Sequence, residues 1–295
     1  MTEFKKGTRQ FWIPYLFLLP NLLIFVLFVI IPAVQGLAMS FTDWSVFSKP
    51  NFIGFANFKE LFADEVFLTT FRNTLVYSIL TVCALVVVSL GLALLLFHNT
   101  IKGVKAFRAI FYIPSLLSMI TVGIAWRFIL GDEMGIVNFL IRSCGGKGVQ
   151  WLTSGKLAML SVILVSVWTY AGYYMIIFIS GLQTIPVELY EAAYVDGASR
   201  WYSFKSITLP LLSPTTLVVS ILATINAFKA YELILTMTKG GPGYATKFIV
   251  QQVYEVAFLE DRMGYASAMS IILMLMIGVI TLIQFKGSRG EGENE

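Results

Sequence analysis

The apolar residues of this chain fall into long stretches that more polar loops separate. Crossing about 30 Å of hydrocarbon takes roughly 20 helical residues, and the stretches that reach this length are 14–40, 74–97, 107–130, 157–182, 211–236 and 265–285. The first is far longer than the roughly 7–15 apolar residues of a signal-peptide core, so we interpret it as a membrane helix. The pattern predicts an all-α membrane protein with about six transmembrane helices.

Three prolines lie inside these stretches or near their starts: Pro20, Pro32 and Pro114. A proline removes a backbone donor and disturbs the helix around it. Membrane helices tolerate this where neighbouring helices satisfy the freed carbonyl groups. We therefore expect kinks at these positions and not breaks.

Composition agrees with this class and excludes several others. Of 295 residues, 57% are hydrophobic and 13% charged, and the formal charge of +4 is dispersed. No basic run could track phosphates, so nucleic acid is not an expected partner. Cys83 and Cys144 form no CxxC pair and lie far along the chain from the single histidine His98, so neither a disulfide framework nor a metal site is expected.

Basic residues near the ends of the apolar stretches indicate the orientation. Lys5, Lys6 and Arg9 precede the first stretch, and Lys102, Lys105 and Arg108 crowd the short link between the second and third. Both places are expected on the cytoplasmic side. The prediction is a cytoplasmic N-terminus (1–13), a membrane domain (14–285) with a cytoplasmic loop at 183–210, and a cytoplasmic tail (286–295). The outer loops then are 41–73, 131–156 and 239–264.

The loop 183–210 has the pattern of two short helices joined by a turn. Pro186 suits a first helical turn, good helix formers follow, and Gly197 can adopt the positive φ that ends a helix. Ser199 is expected to cap a second helix, and Pro210 is expected to stop it. This predicts a helix-turn-helix that lies along the membrane surface.

This loop also contains a longer motif with fixed spacing between its residues. Ala192 and Ala193 leave little side chain, which lets a partner approach the backbone, and Glu191 offers a fixed charge beside them. The segment resembles the EAA signature of the membrane subunits of binding-protein-dependent ABC importers, which reads Glu-Ala-Ala, three residues, Gly, nine residues and Ile-x-Leu-Pro. The residues that match its fixed positions are Glu191, Ala192, Ala193, Gly197, Ile207, Leu209 and Pro210. An ordinary amphipathic interfacial helix would explain the aromatic residues nearby but not this register.

Further segments resemble the carbohydrate-importer branch of that family, the subunit type related to the maltose and glycerol-phosphate permeases. They are Asn226 to Glu232, Thr238 to Pro242 with Thr246, Tyr254 to Phe258, Gly264 to Ala268, and Asn51 to Phe58 in the first outer loop. The sequence departs from the maltose-type subunit, which has extra N-terminal spans and a large inserted outer domain. Docking details of that domain are therefore not transferred.

The resemblance implies a permease subunit of a sugar importer in the bacterial cytoplasmic membrane. It implies four partners besides membrane lipid: a second homologous permease, a dimer of ATPase subunits that contacts residues 187–206, an extracytoplasmic sugar-binding protein that contacts the 240–242 loop and the first outer loop, and the sugar. The sequence has no Gly-x4-Gly-Lys-[Ser/Thr] motif, so we expect no cofactor in this chain and ATP bound by a partner subunit. It also has no Gly-x-Ser-x-Gly motif and no carboxylate pair in an apolar cleft, so it is not predicted to be an enzyme.

Polar residues inside membrane stretches are costly and are candidates for a substrate path. A sugar needs hydrogen-bond partners for its hydroxyls and aromatic rings for its C–H face, and the fourth and fifth stretches carry both. In the maltose-type relative, sugar-binding residues lie in the corresponding segments. The candidate residues are Trp168, Tyr170, Tyr173, Asn226, Lys229, Tyr231 and Glu232.

Other interpretations remain open at this point. The tyrosines could belong to an interfacial belt, and Lys229 and Glu232 could form a structural ion pair on one helix face. Arg127 could snorkel to the interface. A stand-alone secondary transporter could use Lys229, Glu232 and Arg127 for coupling ions or protons, although no inverted repeat is detected. A membrane scaffold would have no need of these charges.

Overall fold

The computed structural model describes residues 13–97 and 102–292. Lys5, Lys6 and Arg9, the residue His98, and the end of the tail at 293–295 lie outside the described residues. The described chain is helical apart from loops and one isolated β-bridge between Thr42 and Phe52. The predicted all-α class is confirmed.

Four helices are long and apolar enough to cross a membrane, and two bent helix pairs raise the possible number of spans to six. The helices of the described residues are α1 Tyr15–Met39, α2 Ala56–Ala63, α3 Glu65–Phe97, α4 Val104–Tyr112, α5 Met119–Ile129, α6 Ile136–Ser143, α7 Gly155–Leu182, α8 Val187–Val195, α9 Arg200–Leu211, α10 Ser213–Phe228, α11 Glu232–Met237, α12 Ile249–Phe258 and α13 Met263–Gly292. Within α1, residues Val26–Ile30 form a π-turn.

The chain divides into two compact units, and the smaller comprises the residues up to Ala63 together with Val253–Ile272. Its loops are joined by Arg262, whose guanidinium bonds the Glu60 carboxylate at 2.7 Å, and by Asp261, which accepts from the Val46 N–H at 2.9 Å. Hydrogen bonds from Asn51, the backbone N–H foremost, hold the pKa of the Asp43 carboxyl below its usual value. The first outer loop is therefore an ordered structure and not a loose connection.

The described residues of the larger unit are 64–97, 102–252 and 273–292. Its central helices α3, α7 and α10 pack against one another through buried side chains such as Leu85, Phe178 and Val219. Arg108 of α4 donates to the carbonyl of Leu96 at 3.1 Å, which satisfies a free acceptor at the end of α3. Packing of this kind fixes the faces that α3, α7 and α10 turn toward one another.

The third predicted stretch is broken and not merely kinked. α4 ends at Tyr112, Pro114 lies in a 3₁₀ turn, and Leu117 and Ser118 are extended before α5 begins. The two pieces meet at 100°. The expectation of a kink at Pro114 is wrong, because the backbone leaves the helical region at Leu117 and Ser118, three and four residues after the proline.

The fifth predicted stretch also differs from the expectation. The second helix of the pair, α9, ends at Leu211, one residue after the predicted stop at Pro210, and the chain then bends by 64° into α10. Pro210 follows the π-helical turn Phe204–Thr208 and lies in the first turn of the short α-helical segment Leu209–Leu211, where its missing N–H costs little. The predicted span to Thr236 is interrupted at Lys229, directly after the end of α10, and the helical structure resumes with α11 at Glu232.

Candidate functional site

A cavity of about 200 Å³ lies among α3, α7 and the interruption that follows α10. We call it the central cavity. On α7 it is lined by Ser166, Tyr170 and Tyr174, which are four residues apart and therefore share one helix face. The remaining lining residues are Tyr77, Thr81, Leu85, Met119, Ala223, Asn226, Ala227, Lys229, Ala230, Tyr231, Glu232 and Leu233.

Two side-chain hydrogen bonds fix the polar groups of this cavity. The Tyr77 hydroxyl and the Ser166 hydroxyl lie 2.7 Å apart and join α3 to α7. The Asn226 carboxamide donates to the Tyr174 hydroxyl at 3.0 Å and joins α10 to α7. Tyr77 and Tyr174 are buried, so these contacts hold the rings in place and leave the remaining lone pairs and donors for a ligand.

The interruption between α10 and α11 brings charge to the cavity. Lys229 follows the last residue of α10 without helical continuation, and α11 begins at Glu232. Both side chains line the cavity together with Tyr231, and in the described part of the chain no ion pair joins Lys229 to Glu232. Irregular backbone at membrane depth is tolerated where it is buried in protein or lines a water-filled cavity. The interruption therefore fits a hydrated site.

Five of the predicted path residues meet in the central cavity: Tyr170, Asn226, Lys229, Tyr231 and Glu232. The other two do not line it. Trp168 is exposed and stacks edge-on against Trp126 with ring centroids 5.4 Å apart. Tyr173 is exposed and meets Tyr174 edge-on at 5.1 Å. Since successive residues turn by about 100° on a helix, Trp168 lies on the far side of α7 from Tyr170. Tyr173, three residues after Tyr170, is only about 60° away and lies at the edge of that face, outside the lining.

Sequence reasoning missed the contribution of α3 and the other members of the α7 face. Tyr77 and Thr81 are polar residues four positions apart in α3, and Ser166 precedes Tyr170 by the same interval. A search for polar residues in phase along each membrane helix would have found them. Trp168 and Tyr173 were selected because they belong to the aromatic segment around Tyr170. For finding residues that line the cavity, this signal was weaker than the helical phase of the polar residues.

The helix pair formed by α8 and α9 has the predicted turn chemistry. Gly197 has φ +75°, and its N–H donates to the Tyr194 carbonyl at 3.1 Å while Ala198 donates to the Ala193 carbonyl at 2.9 Å. These two bonds define a Schellman motif. Ser199 caps the second helix by accepting from the Tyr202 N–H at 3.2 Å, so both expectations are confirmed.

The same helix pair presents an exposed surface. Glu191 and Ala192 are exposed, and Tyr194 and Val195 beside them are 82% and 84% exposed. Ala193 and Ile207 are partly buried, and Ile207 packs against the core. Leu209 and Pro210 are exposed on α9. Tyr190 and Thr208 join the two helices through hydroxyls 2.9 Å apart, so the surface is carried by a braced unit.

The segment from Thr238 to Thr246 is a closed loop. Thr246 donates to the Gly241 carbonyl at 2.7 Å, and its hydroxyl lies 2.8 Å from that of Thr238. Asn73 of α3 donates to the Tyr244 carbonyl at 2.6 Å. This loop is therefore fixed to the end of α3.

Known proteins identify the family. The model of the family described as "Binding-protein-dependent transport system inner membrane component" matches residues 10–286. The chain belongs to that family. The predicted family resemblance is confirmed, and the permease is a membrane component and not an enzyme.

Two curated relatives align with the permease over nearly their whole lengths. A probable ABC transporter permease protein, YurN of Bacillus subtilis, is 37% identical over 278 residues, which are 93% of the permease and 95% of the relative. A probable permease for starch degradation products, AmyD of Thermoanaerobacterium thermosulfurigenes, is 33% identical over 284 residues, which are 96% and 94% of the two chains. These relatives place the permease among subunits of ABC transport systems.

A solved structure agrees with the fold. A chain of the bacterial alginate ABC transporter, crystallised in complex with an alginate pentasaccharide-bound periplasmic protein, superposes with a TM-score of 0.85 at 29% identity. The match covers 96% of each chain. The helical breaks described above thus occur in a fold that the solved transporter shares.

Proposed function

We propose that this permease forms half of a sugar translocation path and that its central cavity contacts the sugar. The observation that carries this proposal is the convergence of Tyr170, Asn226, Lys229 and Glu232 on one cavity. Hydroxyl, carboxamide, ammonium and carboxylate groups together supply donors and acceptors for sugar hydroxyls. Aromatic rings beside them can pack against the C–H face of a sugar.

The names of the relatives support a carbohydrate as the substrate class. One relative is named for starch degradation products, and the solved transporter imports the acidic polysaccharide alginate. Lys229 could pair with an acidic sugar and Glu232 with a neutral one, since carboxylates accept hydrogen bonds from hydroxyls. The charged groups of the lining therefore suit sugars of either kind.

We infer further that α8 and α9 are the contact for the ATPase. The exposed Glu191, the small Ala192 and the braced turn at Gly197 form a rigid surface to which a separate subunit can bind. The neighbouring exposed side chains of Tyr194 and Val195 add apolar area of the kind that interaction surfaces carry. A braced helix pair can transmit the closure of an ATPase dimer to the membrane helices. Closure then shifts the equilibrium between the inward-open and outward-open states by as much as the closed ATPase dimer binds one state more tightly than the other.

The remaining partners follow from the family and from the geometry of α7. That helix has 28 residues and is therefore about 42 Å long, with loop 131–154 before it and the α8–α9 pair after it. If the helix pair is cytoplasmic, loop 131–154 is extracytoplasmic, and both termini are cytoplasmic in a six-span arrangement. The 238–246 loop and the first outer loop would then meet a binding protein, as the periplasmic protein of the alginate complex supports. A second permease completes the path in the bacterial cytoplasmic membrane.

A stand-alone secondary transporter has little support. Family membership rests on a match to components of binding-protein-dependent systems across residues 10–286. The charges at Lys229 and Glu232 are explained by a hydrated sugar site. They do not require coupling ions.

Purification of the tagged permease from its native membrane tests the proposal. The co-purifying proteins are identified by mass spectrometry, and ATP hydrolysis is measured with maltotriose, an alginate trisaccharide and the co-purifying binding protein. Recovery of a second permease and an ATPase whose rate rises with one sugar is expected. Recovery of the permease alone, with sugar uptake that follows a proton gradient, would contradict the proposal and favour the secondary transporter.

A further inference from the structure

A second and larger cavity lies beside the loop that precedes α7. We call it the loop cavity. It has a volume of about 650 Å³ and lies among the loop 131–153, the end of α5 and the end of α11. Small-molecule sites span roughly 300–1,000 Å³, so the loop cavity can hold a ligand of that class whereas the central cavity, at about 200 Å³, is too small in this conformation.

The walls of the loop cavity are held by hydrogen bonds. Asn138 is fully buried and donates to the carbonyls of Asp132 and Val149 at 2.8 and 2.7 Å. The Asp132 carboxylate accepts from the backbone N–H groups of Leu152 and Thr153, each at 3.1 Å. These bonds tie both ends of the loop together, so the cavity is a preorganised part of the protein.

Arg142 strengthens the same wall from the side of α6. Its guanidinium donates to the Glu133 carbonyl at 2.7 Å and to the Asp132 carbonyl at 3.2 Å. The charged groups of Arg142 and Asp132 thus form hydrogen bonds with the backbone of the loop itself. Their role is to hold the cavity open.

Two other charged side chains of the lining are left for a ligand. Arg127 at the end of α5 and Glu133 both line the cavity, and both residues are exposed. Among the residues that the structure describes, neither side chain has a hydrogen-bond or ion-pair partner. A guanidinium and a carboxylate facing one cavity can together donate to and accept from sugar hydroxyls.

The two cavities share their dividing wall. α5 lines the central cavity with Met119 and the loop cavity with Arg127, eight residues or about 12 Å further along. α11 lines the central cavity with Glu232 and the loop cavity with Met237. Between these ends the helices approach so closely that a Cβ at Gly123 would overlap the Thr236 hydroxyl.

We propose that the loop cavity is an outer sugar subsite, in which Arg127 and Glu133 hold the substrate before it passes the α5–α11 wall into the central cavity. The inference rests on the proposed function, since it takes its ligand class from there. The two cavities then act in successive steps of transport. The loop cavity binds the sugar first, while the central cavity is too small to admit it. Passage requires α5 and α11 to move apart or to shift together.

Protection of a cysteine placed in the loop cavity tests this subsite. Gln150→Cys puts a thiol on an exposed lining position, and Met134→Cys puts one on a neighbouring position that is 93% exposed and outside the lining. The intact complex in nanodiscs, without nucleotide, is treated with a maleimide. The labelled peptides are then quantified with maltotriose, alginate trisaccharide, sugar-free binding protein or sugar-loaded binding protein present.

The expected result is severalfold slower labelling at position 150, but not at 134, with free sugar or sugar-loaded binding protein. Equal protection by sugar-free binding protein would overturn the proposal, because a segment of that protein would then fill the cavity. Unchanged labelling at 150 under every condition would overturn it as well. Stimulation of ATP hydrolysis by a sugar without protection would reject the subsite and keep the proposed function, whereas protection without stimulation would keep the subsite and reject the function.

Arg127→Gln checks the assigned contact. Loss of a hydrogen bond to a charged group should raise the sugar concentration for half-protection about tenfold or more. Lys156→Gln is the matched control, since it removes one positive charge from an exposed residue that does not line the cavity. Equal protection curves for Arg127→Gln and the unsubstituted complex would show that Arg127 does not contact the sugar.

Discussion

The α8–α9 pair and the central cavity are built in opposite ways. The pair is continuous in sequence, and its surface is set by bonds between residues a few positions apart, such as the Schellman bonds around Gly197. The cavity takes side chains from α3, α7, α10 and the interruption before α11. Its shape depends on how helices far apart in sequence pack together.

This difference has a physical consequence for how each region fails. A change in the pair alters one exposed surface and leaves the buried core untouched. A change in the cavity removes a bond between two membrane helices, where no water replaces a lost partner from the lipid side. The two regions should therefore separate in experiments that measure ATPase association and sugar transport independently.

The largest effect is expected for Glu191→Arg. Charge reversal at an interface costs several kcal/mol, so the ATPase should no longer co-purify and sugar uptake should be lost. The quantity measured is the amount of ATPase retained by the tagged permease. Glu65→Arg, at an exposed carboxylate in the first turn of α3, makes the same change in charge and should retain the ATPase. Normal ATPase retention by Glu191→Arg would remove the coupling surface from this helix.

A smaller effect, confined to transport, is expected for Asn226→Ala. The substitution leaves the buried Tyr174 hydroxyl without the donor that bonds it at 3.0 Å, which costs about 1–3 kcal/mol. Uptake into proteoliposomes should fall at least about fivefold with the ATPase still bound. Trp168→Ala should lower uptake less, because Trp168 lies outside the cavity lining. The reverse order of the two variants would place the sugar on the Trp168 face of α7.

Gly197→Ala should weaken the ATPase contact without abolishing it. A β-carbon in the left-handed region costs about 1–2 kcal/mol, and Gly197 has φ +75°. The turn between α8 and α9 should open part of the time, and ATPase affinity should fall about five- to tenfold. Binding is measured by titrating purified ATPase into the permease complex. An unchanged affinity would mean that the turn is not part of the contact.

The smallest effect is expected for Ser199→Ala. Loss of a helix N-cap costs about 0.5–2 kcal/mol, and the exposed position and the 3.2 Å bond point to the low end. The same titration should show about a twofold loss of affinity, which Ser199→Thr should restore. A loss as large as that of Glu191→Arg would indicate direct contact by Ser199.

Local sequence was sufficient where local bonds decide the structure. Gly197 and Ser199 were assigned correctly because positive φ and N-capping are properties of single residues and their near neighbours. Four long apolar helices were recognisable for the same reason, since length and hydropathy alone identify them. The bounds of α7 differ from the predicted stretch 157–182 by two residues at its start.

Sequence was insufficient where packing decides the structure. Nothing in the run around Leu117 distinguishes a kink from a 100° bend, because the choice depends on what the two halves pack against. The interruption at Lys229 carries no proline or glycine. The contribution of Tyr77 to the central cavity was missed for a related reason, since a single sequence lists aromatic residues without saying which helix face is turned inward.

The interruption at Lys229 has an electrical consequence. A cavity filled with water that is continuous with the solution on one side carries the potential of that solution inward, so the voltage does not fall evenly across the full thickness of the bilayer. With water at the central cavity and at the loop cavity, most of the field would fall across the α5–α11 wall, which is about 12 Å thick between Met119 and Arg127. Carrying one elementary charge through 100 mV takes about 2.3 kcal/mol. For an acidic sugar, nearly all of that work would be done in the single step that crosses this wall.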